Sequence, residues 1–174
     1  VLSVVDYPGF EELPPPDIES YSKALNAGQY PLSVLALKKE VADLYVTGLY
    51  GNTMTTNPRG LEVGCAVLDA LTPALRENIC ERGAQLLAGL RALAKEFPDA
   101  VLSVDGTGLI VAAELDPESH PVNGVGAIEE QMRRRGVGVV HGGDNALRFT
   151  PWFGITAAEV DLVLDVVRTV IAQA

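Results

Sequence analysis

The sequence predicts an α/β chain of two parts, and three observations support this prediction. Residues 18–21 and 33–37 are short strand-like runs in a first part that prolines interrupt repeatedly. Two helical patterns then meet at Thr72-Pro73. Beyond the second helix, strand-like and helical segments alternate, which is typical of a compact α+β unit. We therefore place a boundary between residues 1–71 and residues 72–174.

Composition excludes several classes of function. The chain has 174 residues, of which 48% are hydrophobic and 21% charged, as in ordinary globular proteins. Its net charge of −10 repels phosphates, so we expect no binding to nucleic acid and none to anionic membranes. It contains no run of about 18 apolar residues and no basic start, so we expect neither a membrane span nor a signal peptide.

The cysteines and histidines do not predict a metal site. Cys65 and Cys80 lack C-x-x-C spacing, and His120 and His141 lack the spacing of metal ligands. A chain of this size needs no disulfide to hold a core. We therefore expect reduced cysteines, a cytoplasmic location and no metal.

The first part carries a lysine in an unusual place. Residues 1–5, 18–21 and 33–37 are apolar runs that predict buried strands, and Lys23 lies on the turn between the last two. A desolvated lysine amine can form a Schiff base with a carbonyl cofactor or substrate. The alternative is a surface lysine whose aliphatic stem lies along apolar neighbours, and the pattern by itself favours this alternative.

Two helix starts follow the first part's strands. Asn57 is a good N-cap, and Pro58 stands at the first helical position, where its missing N–H does no harm. Thr72-Pro73 repeats this signal for a long helix that Pro98 ends. The first of these helices has an apolar stripe formed by Leu61, Cys65, Leu68 and Leu71.

The rest of the chain predicts four strands and two helices. Strands at residues 101–104 and 109–115 flank a glycine turn at residues 105–108. A helix at residues 124–135 precedes strands at residues 137–140 and 146–149. The last helix opens with a capping box formed by Thr156 and Glu159. Its apolar face consists of Val160, Val163, Leu164, Val167, Val170 and Ile171.

Two further segments could contact an anionic ligand. Residues 51–58 form a small, hydroxyl-rich loop that includes Asn52 and Thr53 and runs into a helix start, which suits a phosphate. Ordinary helix capping is the alternative for this loop. Arg148 stands among aromatic and apolar neighbours at the end of a strand, where a guanidinium can clamp a carboxylate. A buried ion pair is the alternative for this arginine.

In this order and spacing, four stretches resemble the C-terminal part of a class III (ω-amino acid type) pyridoxal phosphate aminotransferase. Residues 16–33 resemble the lysine loop of that family, and residues 51–58 resemble its phosphate-binding G-x-T segment before an N-P helix start. Residues 106–114 resemble the first strands of the small domain, and residues 147–151 resemble the carboxylate-binding strand. The similarity extends over nearly the whole chain.

The resemblance implies a fold and a division into domains. The fold is that of a fold type I transferase dependent on pyridoxal phosphate, which is an α/β fold. Residues 1–71 then form the C-terminal part of the large cofactor-binding domain. Residues 72–174 form a linker helix and the small C-terminal α+β domain.

The resemblance also implies roles for four residues. Lys23 forms the internal aldimine with pyridoxal 5'-phosphate and moves the proton between the substrate and the cofactor. Asn52 and Thr53 bind the cofactor, and in this family the threonine usually reaches the phosphate held by the neighbouring subunit, which implies a homodimer with shared active sites. Arg148 clamps a substrate carboxylate. The complete enzyme transfers an amino group from an amine or amino acid to a 2-oxo acid in a ping-pong reaction.

The sequence departs from the family pattern in three respects. Trp152 and Phe153 replace a proline and an aliphatic residue, and Asp105 replaces a basic residue. The N-terminal portion of the family, which holds the phosphate cup, the ring-stacking aromatic residue and the aspartate at the pyridine nitrogen, has no counterpart in this sequence. We therefore expect the chain by itself to be inactive or nearly so.

Two alternatives share the same residues. One is an aminomutase, racemase or decarboxylase on the same scaffold, because Lys23 and Thr53 serve the cofactor in each of these reactions. The other is a non-catalytic dimerisation or binding module. Fold analogy does not choose between them or name the substrate.

Overall fold

The computed structural model describes residues 9–49, 51 and 57–174. Contacts divide the chain into two compact units, Val1–Leu71 and Thr72–Ala174. Each unit has its own sheet, of two strands in the first unit and four in the second. The strand expected at residues 1–5 lies outside the described residues.

The first unit is built around an antiparallel strand pair. Strand β1 (Ile18–Tyr21) pairs along its whole length with β2 (Val34–Leu37). The segment between them contains a 3-10 helix (Lys23–Asn26). Helices α1 (Lys39–Ala42) and α2 (Pro58–Ala70) follow. The pairing confirms the two strands that the sequence predicts here.

The burial expected for these two strands is wrong in this chain. All four residues of β2 are exposed, and β1 alternates between exposed and partly buried residues. A sheet buries its apolar side chains only when another layer covers it. The described residues of the first unit provide no such layer over β2.

Helix α2 begins as predicted, but its buried positions are glycines. The Asn57 side chain accepts a hydrogen bond from the Arg59 N–H at 3.0 Å, and Pro58 stands in the first turn. Gly60 and Gly64 are buried because they face the segment that connects β1 to β2. The apolar stripe is instead exposed or partly buried along its length, at Leu61, Cys65, Leu68 and Leu71.

A four-stranded antiparallel sheet organises the second unit. Its strands are β3 (Val101–Thr107), β4 (Ile110–Leu115), β5 (Val140–Gly142) and β6 (Ala146–Phe149). The spatial order is β3-β4-β6-β5, so β6 lies between β4 and β5. The number of strands agrees with the four that the sequence predicts in this region.

The strand boundaries differ from the predicted ones for local reasons. Strand β3 continues through residues 105–107, so the turn to β4 has only two residues, Gly108 with a φ of 49° and Leu109. Strand β5 begins only at Val140, since its pairing with β6 runs from Val140 opposite Arg148 to Gly142 opposite Ala146.

Three helices complete the second unit. Helix α3 (Pro73–Glu96) begins at the Thr72 cap, and α4 (Ile128–Arg134) is shorter than predicted. Gly124 and Gly126 have φ values of 131° and 76°, which a right-handed helix does not allow. Helix α5 (Ala157–Ile171) has the predicted capping box.

The core of the second unit lies between one face of its sheet and these helices. Helix α3 contributes Leu86, Leu90 and Leu93, and the alternate residues of the strands point toward them. The predicted apolar face of α5 is confirmed, since its members are buried or partly buried. The most deeply buried large side chains include Leu86, Leu90, Leu93, Val111, Leu115, Ile128, Met132, Leu147, Val160, Val167 and Val170.

Candidate active site

Lys23 begins the 3-10 helix that follows β1. From here on, the term lysine loop means residues 22–33, which connect β1 to β2 and form the later part of the segment 16–33. Its backbone has a φ of 53°, a left-handed conformation that is uncommon for a residue with a side chain. The residue is exposed, and its amine makes no hydrogen bond or ion pair with the described residues. The turn position predicted for Lys23 is therefore correct, but the residue is not enclosed between buried strands in this chain.

Two neighbouring lysines differ from Lys23 because they are paired. The Lys38 amine lies 2.7 Å from a carboxylate oxygen of Asp17, and the Lys39 amine lies 2.7 Å from one of Asp43. Each of these amines donates to the carboxylate of its partner. In the first unit, Lys23 is thus the lysine whose amine is available to a ligand.

Hydrogen bonds brace the lysine loop at two levels. At its base, the Ser33 hydroxyl donates to the Ser22 hydroxyl oxygen at 3.2 Å, and the Ser22 hydroxyl donates to the Leu32 carbonyl at 3.4 Å. At its tip, the buried Asn26 side chain accepts from the Gly28 N–H at 2.8 Å and donates to the Tyr30 carbonyl. These contacts fix the course of the loop on both sides of Lys23.

Sequence reasoning missed Asn26. An asparagine two residues before a glycine is typical of a turn closed by its own side chain, so the Asn-Ala-Gly sequence carried a usable signal. What the sequence does not reveal is that this side chain is only 8% exposed.

The two residues predicted to bind the cofactor phosphate, Asn52 and Thr53, lie outside the described residues. The end of their loop is described. Asn57 caps helix α2, and Pro58 stands in the first turn of that helix, as the phosphate-loop hypothesis requires. Their role in binding phosphate stays a prediction.

Arg148 lies on β6, on the sheet face opposite the core. Its Cα partners are Ala112 of β4 and Val140 of β5. Arg148 is exposed and makes no ion pair with the described residues. The alternative of a buried ion pair is therefore wrong, and so is the apolar enclosure, because only the alternate residues Leu147 and Phe149 point into the core. The guanidinium is available to an anionic ligand.

An apolar cleft of about 90 Å³ opens beside this strand in the second unit. Helices α3 and α5 contribute Leu86, Val160 and Val163 to its walls, while residues 137–140 and 148–151 form the opposite side. Arg148 is the only charged residue in this lining. The lining is otherwise apolar, and the Arg148 side chain leaves β6 on the face opposite the core.

Four carboxyl groups of the second unit have pKa values below their ordinary range. Hydrogen bonds from Ser119 lower the pKa of Asp116, and the backbone N–H of Gly126 with the Arg134 side chain lowers that of Glu130. The hydrogen bond to His141 lowers the pKa of Glu129, and the backbone and hydroxyl of Thr156 lower that of Glu159. These shifts come from hydrogen bonds in a turn and at helix starts and from ion pairs.

Residues 9–49, 51 and 57–174 contain neither a metal-ligand cluster nor a helix that could span a membrane. There, His, Cys, Asp and Glu side chains nowhere gather in threes in a way that could hold a metal ion. None of the helices formed by the described residues combines the length and apolar character that a bilayer span requires. Cys65 and Cys80 are both exposed and free.

Solved aminotransferase structures share the fold of this chain. Ornithine aminotransferase PY00104 from Plasmodium yoelii superposes with a TM-score of 0.82 at 24% identity, over 93% of this chain and 43% of that one. Acetylornithine aminotransferase from Elizabethkingia anophelis superposes with a TM-score of 0.82 at 23% identity, over 94% of this chain and 42% of that one. The predicted α/β fold of a pyridoxal phosphate-dependent aminotransferase is thereby confirmed.

Sequence comparison shows the family. An acetylornithine aminotransferase of Mesorhizobium japonicum is 31% identical over 154 residues, which are 88% of this chain and 37% of that protein. One of Synechocystis sp. is 32% identical over 166 residues, 94% of this chain and 38% of that protein. The chain thus spans less than two fifths of the length of these relatives. Because the class III aminotransferase family model matches residues 11–171, this chain belongs to the class III aminotransferase family.

Proposed function

We propose that this chain is the part of a transaminase that binds pyridoxal 5'-phosphate through Lys23. Class III aminotransferases use this cofactor. The observation that carries the proposal is the Lys23 amine, which is exposed, unpaired among the described residues and held on left-handed backbone. Backbone strain of this kind is concentrated at functional sites.

The residues present fit the cofactor. A free primary amine is the group that an aldehyde requires, and Lys23 offers one on a braced turn. When bound, pyridoxal phosphate supplies an electron sink, while the protein supplies binding, orientation and proton transfer. Lys23 would hold the cofactor and then, as a free amine, move the substrate proton. Asn52 and Thr53 would bind the phosphate in front of helix α2.

Arg148 would bind a substrate carboxylate. Its guanidinium is exposed and unpaired among the described residues, and its strand lines the apolar cleft. A planar guanidinium holds a carboxylate through two parallel hydrogen bonds, which orients the substrate as well as binding it. The substrates would be an amino donor and a 2-oxo acid. The relatives are named ornithine and acetylornithine aminotransferases, so we place the donor among amino acids with a second, distal nitrogen.

We further propose a cytoplasmic homodimer with shared active sites. Two exposed free cysteines favour a reducing compartment, where disulfides are rare. The exposed apolar residues of the first unit, Leu44, Tyr45, Val46, Leu49, Leu61 and Leu68, favour a partner surface.

Cofactor trapping tests the proposal. The 174-residue chain is incubated with pyridoxal phosphate, reduced with borohydride and mapped by mass spectrometry. We expect the label at Lys23 in preference to Lys38 and Lys39, whose amines are engaged in ion pairs. The matched controls are Lys23→Arg, which should abolish the specific label, and Lys38→Arg, which should leave it unchanged. Equal labelling of all lysines would contradict the proposal.

A further inference from the structure

Asn26 is the only buried polar side chain among the residues that the structure describes, with 8% of its surface exposed. Both its oxygen and its nitrogen form hydrogen bonds within the lysine loop. The side-chain oxygen accepts from the Gly28 N–H at 2.8 Å, and the side-chain nitrogen donates to the Tyr30 carbonyl. A buried amide that loses one of these partners is costly, so the pair of bonds constrains the loop strongly.

The backbone is strained at both ends of the 3-10 helix, at its first residue and at the residue that follows Asn26. Lys23 has a φ of 53° and Ala27 a φ of 50°, and both residues carry a Cβ atom. Left-handed backbone is unfavourable for such residues, so it persists only when the surroundings determine it. The 3-10 helix begins at Lys23 and ends at Asn26, so Asn26 is the residue directly before Ala27.

Helix α2 closes the loop from the other side. Its buried glycines face the loop directly, since a Cβ atom at Gly60 would lie 3.6 Å from the Cβ of Tyr30. One at Gly64 would lie 3.8 Å from the Leu25 carbonyl oxygen. The loop is therefore braced from within by Asn26 and supported from outside by α2.

We propose that Asn26 is the positioning residue of Lys23. Its two hydrogen bonds close the turn at residues 26–30, directly after the short helix, and so hold that helix with the exposed Lys23 at its start. Asn26 does not touch the cofactor and acts only through the backbone of residues 23–27. This inference rests on the proposed cofactor role of Lys23.

Three variants separate positioning from folding. Asn26→Ala removes both hydrogen bonds. Asn26→Asp keeps the acceptor for the Gly28 N–H and loses the donor to the Tyr30 carbonyl. Gln29→Ala is the matched control, because it removes an exposed amide from the same loop whose one bond, to the Ala27 carbonyl, is long at 3.4 Å.

Two measurements are made on each variant of the 174-residue chain. The first is the ratio of Lys23 to Lys38 labelling in the borohydride experiment. The second is the intraresidue amide–Hα nuclear Overhauser effect of Lys23, which is strong only at positive φ and needs no cofactor. Unchanged amide signals from β1, β2 and helix α2 show that the first unit of a variant, which contains Asn26 and Lys23, is folded.

We expect Asn26→Ala, which removes both hydrogen bonds, to lower the labelling ratio at least about tenfold and to weaken the Overhauser effect. Asn26→Asp should lie between Asn26→Ala and the unsubstituted chain, and Gln29→Ala should change neither quantity. The inference is overturned if Asn26→Ala keeps the labelling ratio, whether or not the Overhauser effect changes.

The two proposals fail in different ways. If the unsubstituted chain shows no preference for Lys23, the proposed function is contradicted. The Overhauser effect then still decides the structural half of the inference, because an effect that persists in Asn26→Ala shows that Asn26 does not hold the turn.

Discussion

Gly83 of helix α3 faces the carbonyl oxygen of Gly108 so closely that a Cβ atom at Gly83 would lie 2.2 Å from this oxygen. Gly108 occupies the turn between β3 and β4. Both groups are backbone, so neither can rotate away as a side chain does. This approach brings the longest helix of the second unit onto the end of its sheet.

Gly83→Ala should therefore destabilise the second unit. We expect the free energy of unfolding to fall by about 1–3 kcal/mol, which is typical of overpacking a tight contact. Gly89→Ala on the same helix is the control. Its Cβ would meet the Leu164 side chain at 2.3 Å, and a side chain can repack. Urea denaturation monitored by circular dichroism measures the free energy of unfolding of both variants. Equal losses of stability in Gly83→Ala and Gly89→Ala would contradict this prediction.

The two buried glycines of α2 should respond differently to alanine. A Cβ atom at Gly60 has room, with its nearest neighbour at 3.6 Å, so Gly60→Ala should stabilise the helix by up to about 1 kcal/mol. At Gly64 the Cβ would lie 2.9 Å from a methyl group of Leu32, so Gly64→Ala should gain less or lose stability. Thermal unfolding measures the stability of both variants. A larger gain in stability from Gly64→Ala than from Gly60→Ala would refute this prediction.

The capping box of α5 should contribute measurably to stability. The Thr156 hydroxyl accepts from the Glu159 N–H at 3.3 Å, and the Thr156 N–H donates to the Glu159 carboxylate at 2.7 Å. Thr156→Ala should cost about 1 kcal/mol, and Thr156→Ser should restore most of it. Thr169→Ala is the control on the same helix, since its hydroxyl bonds only to the Asp165 carbonyl four residues before it. A loss as large at Thr169 would count against the capping argument.

Glu129 should make stability depend on pH in the acid range. The hydrogen bond to His141, at 2.9 Å, and the charge of Arg133 lower its pKa in the folded state. A carboxyl with a lowered folded pKa stabilises the fold above its unfolded pKa of about 4.3, and this contribution is lost as pH falls through the lower folded pKa. Glu129→Gln should therefore be less stable than the unsubstituted chain at pH 7.

Unfolding curves from pH 7 to acid pH test this expectation. The stability difference between Glu129→Gln and the unsubstituted chain should shrink as the pH falls. Glu118→Gln, at an exposed carboxylate, is the control and should show little difference at any pH. A difference for Glu129→Gln that stays constant down to acid pH would rule out the linkage.

Arg148 should be almost irrelevant to stability, because it is exposed and makes no ion pair with the described residues. Arg148→Gln should change the free energy of unfolding by less than about 0.5 kcal/mol. Arg168→Gln is the comparison, since Arg168 lies 3.1 Å from a Glu96 oxygen and 3.4 Å from one of Asp165. Calorimetry measures both. A large loss at Arg148 would assign it a structural role in place of substrate binding.

The sequence by itself determined the parts of this protein whose causes are local. The caps at Asn57, Thr72 and Thr156 place three helix starts, because a cap depends only on the next three residues. The order and spacing of the four motifs also identified the family, because they are properties of the sequence and need no tertiary contact. Glycine conformations at Gly124 and Gly126 shortened one predicted helix, because periodicity does not reveal a positive φ.

Only the tertiary structure decided which faces are buried and which amines and guanidinia are free. Helix α2 packs through Gly60 and Gly64 instead of its apolar stripe, and at Gly64 the loop leaves little room for a larger side chain, since a Cβ atom there would lie 2.9 Å from a methyl group of Leu32. Asn26 is buried, while Lys23 and Arg148 are exposed and unpaired among the described residues. Burial and pairing depend on residues that are distant along the chain, so a local sequence pattern does not predict them.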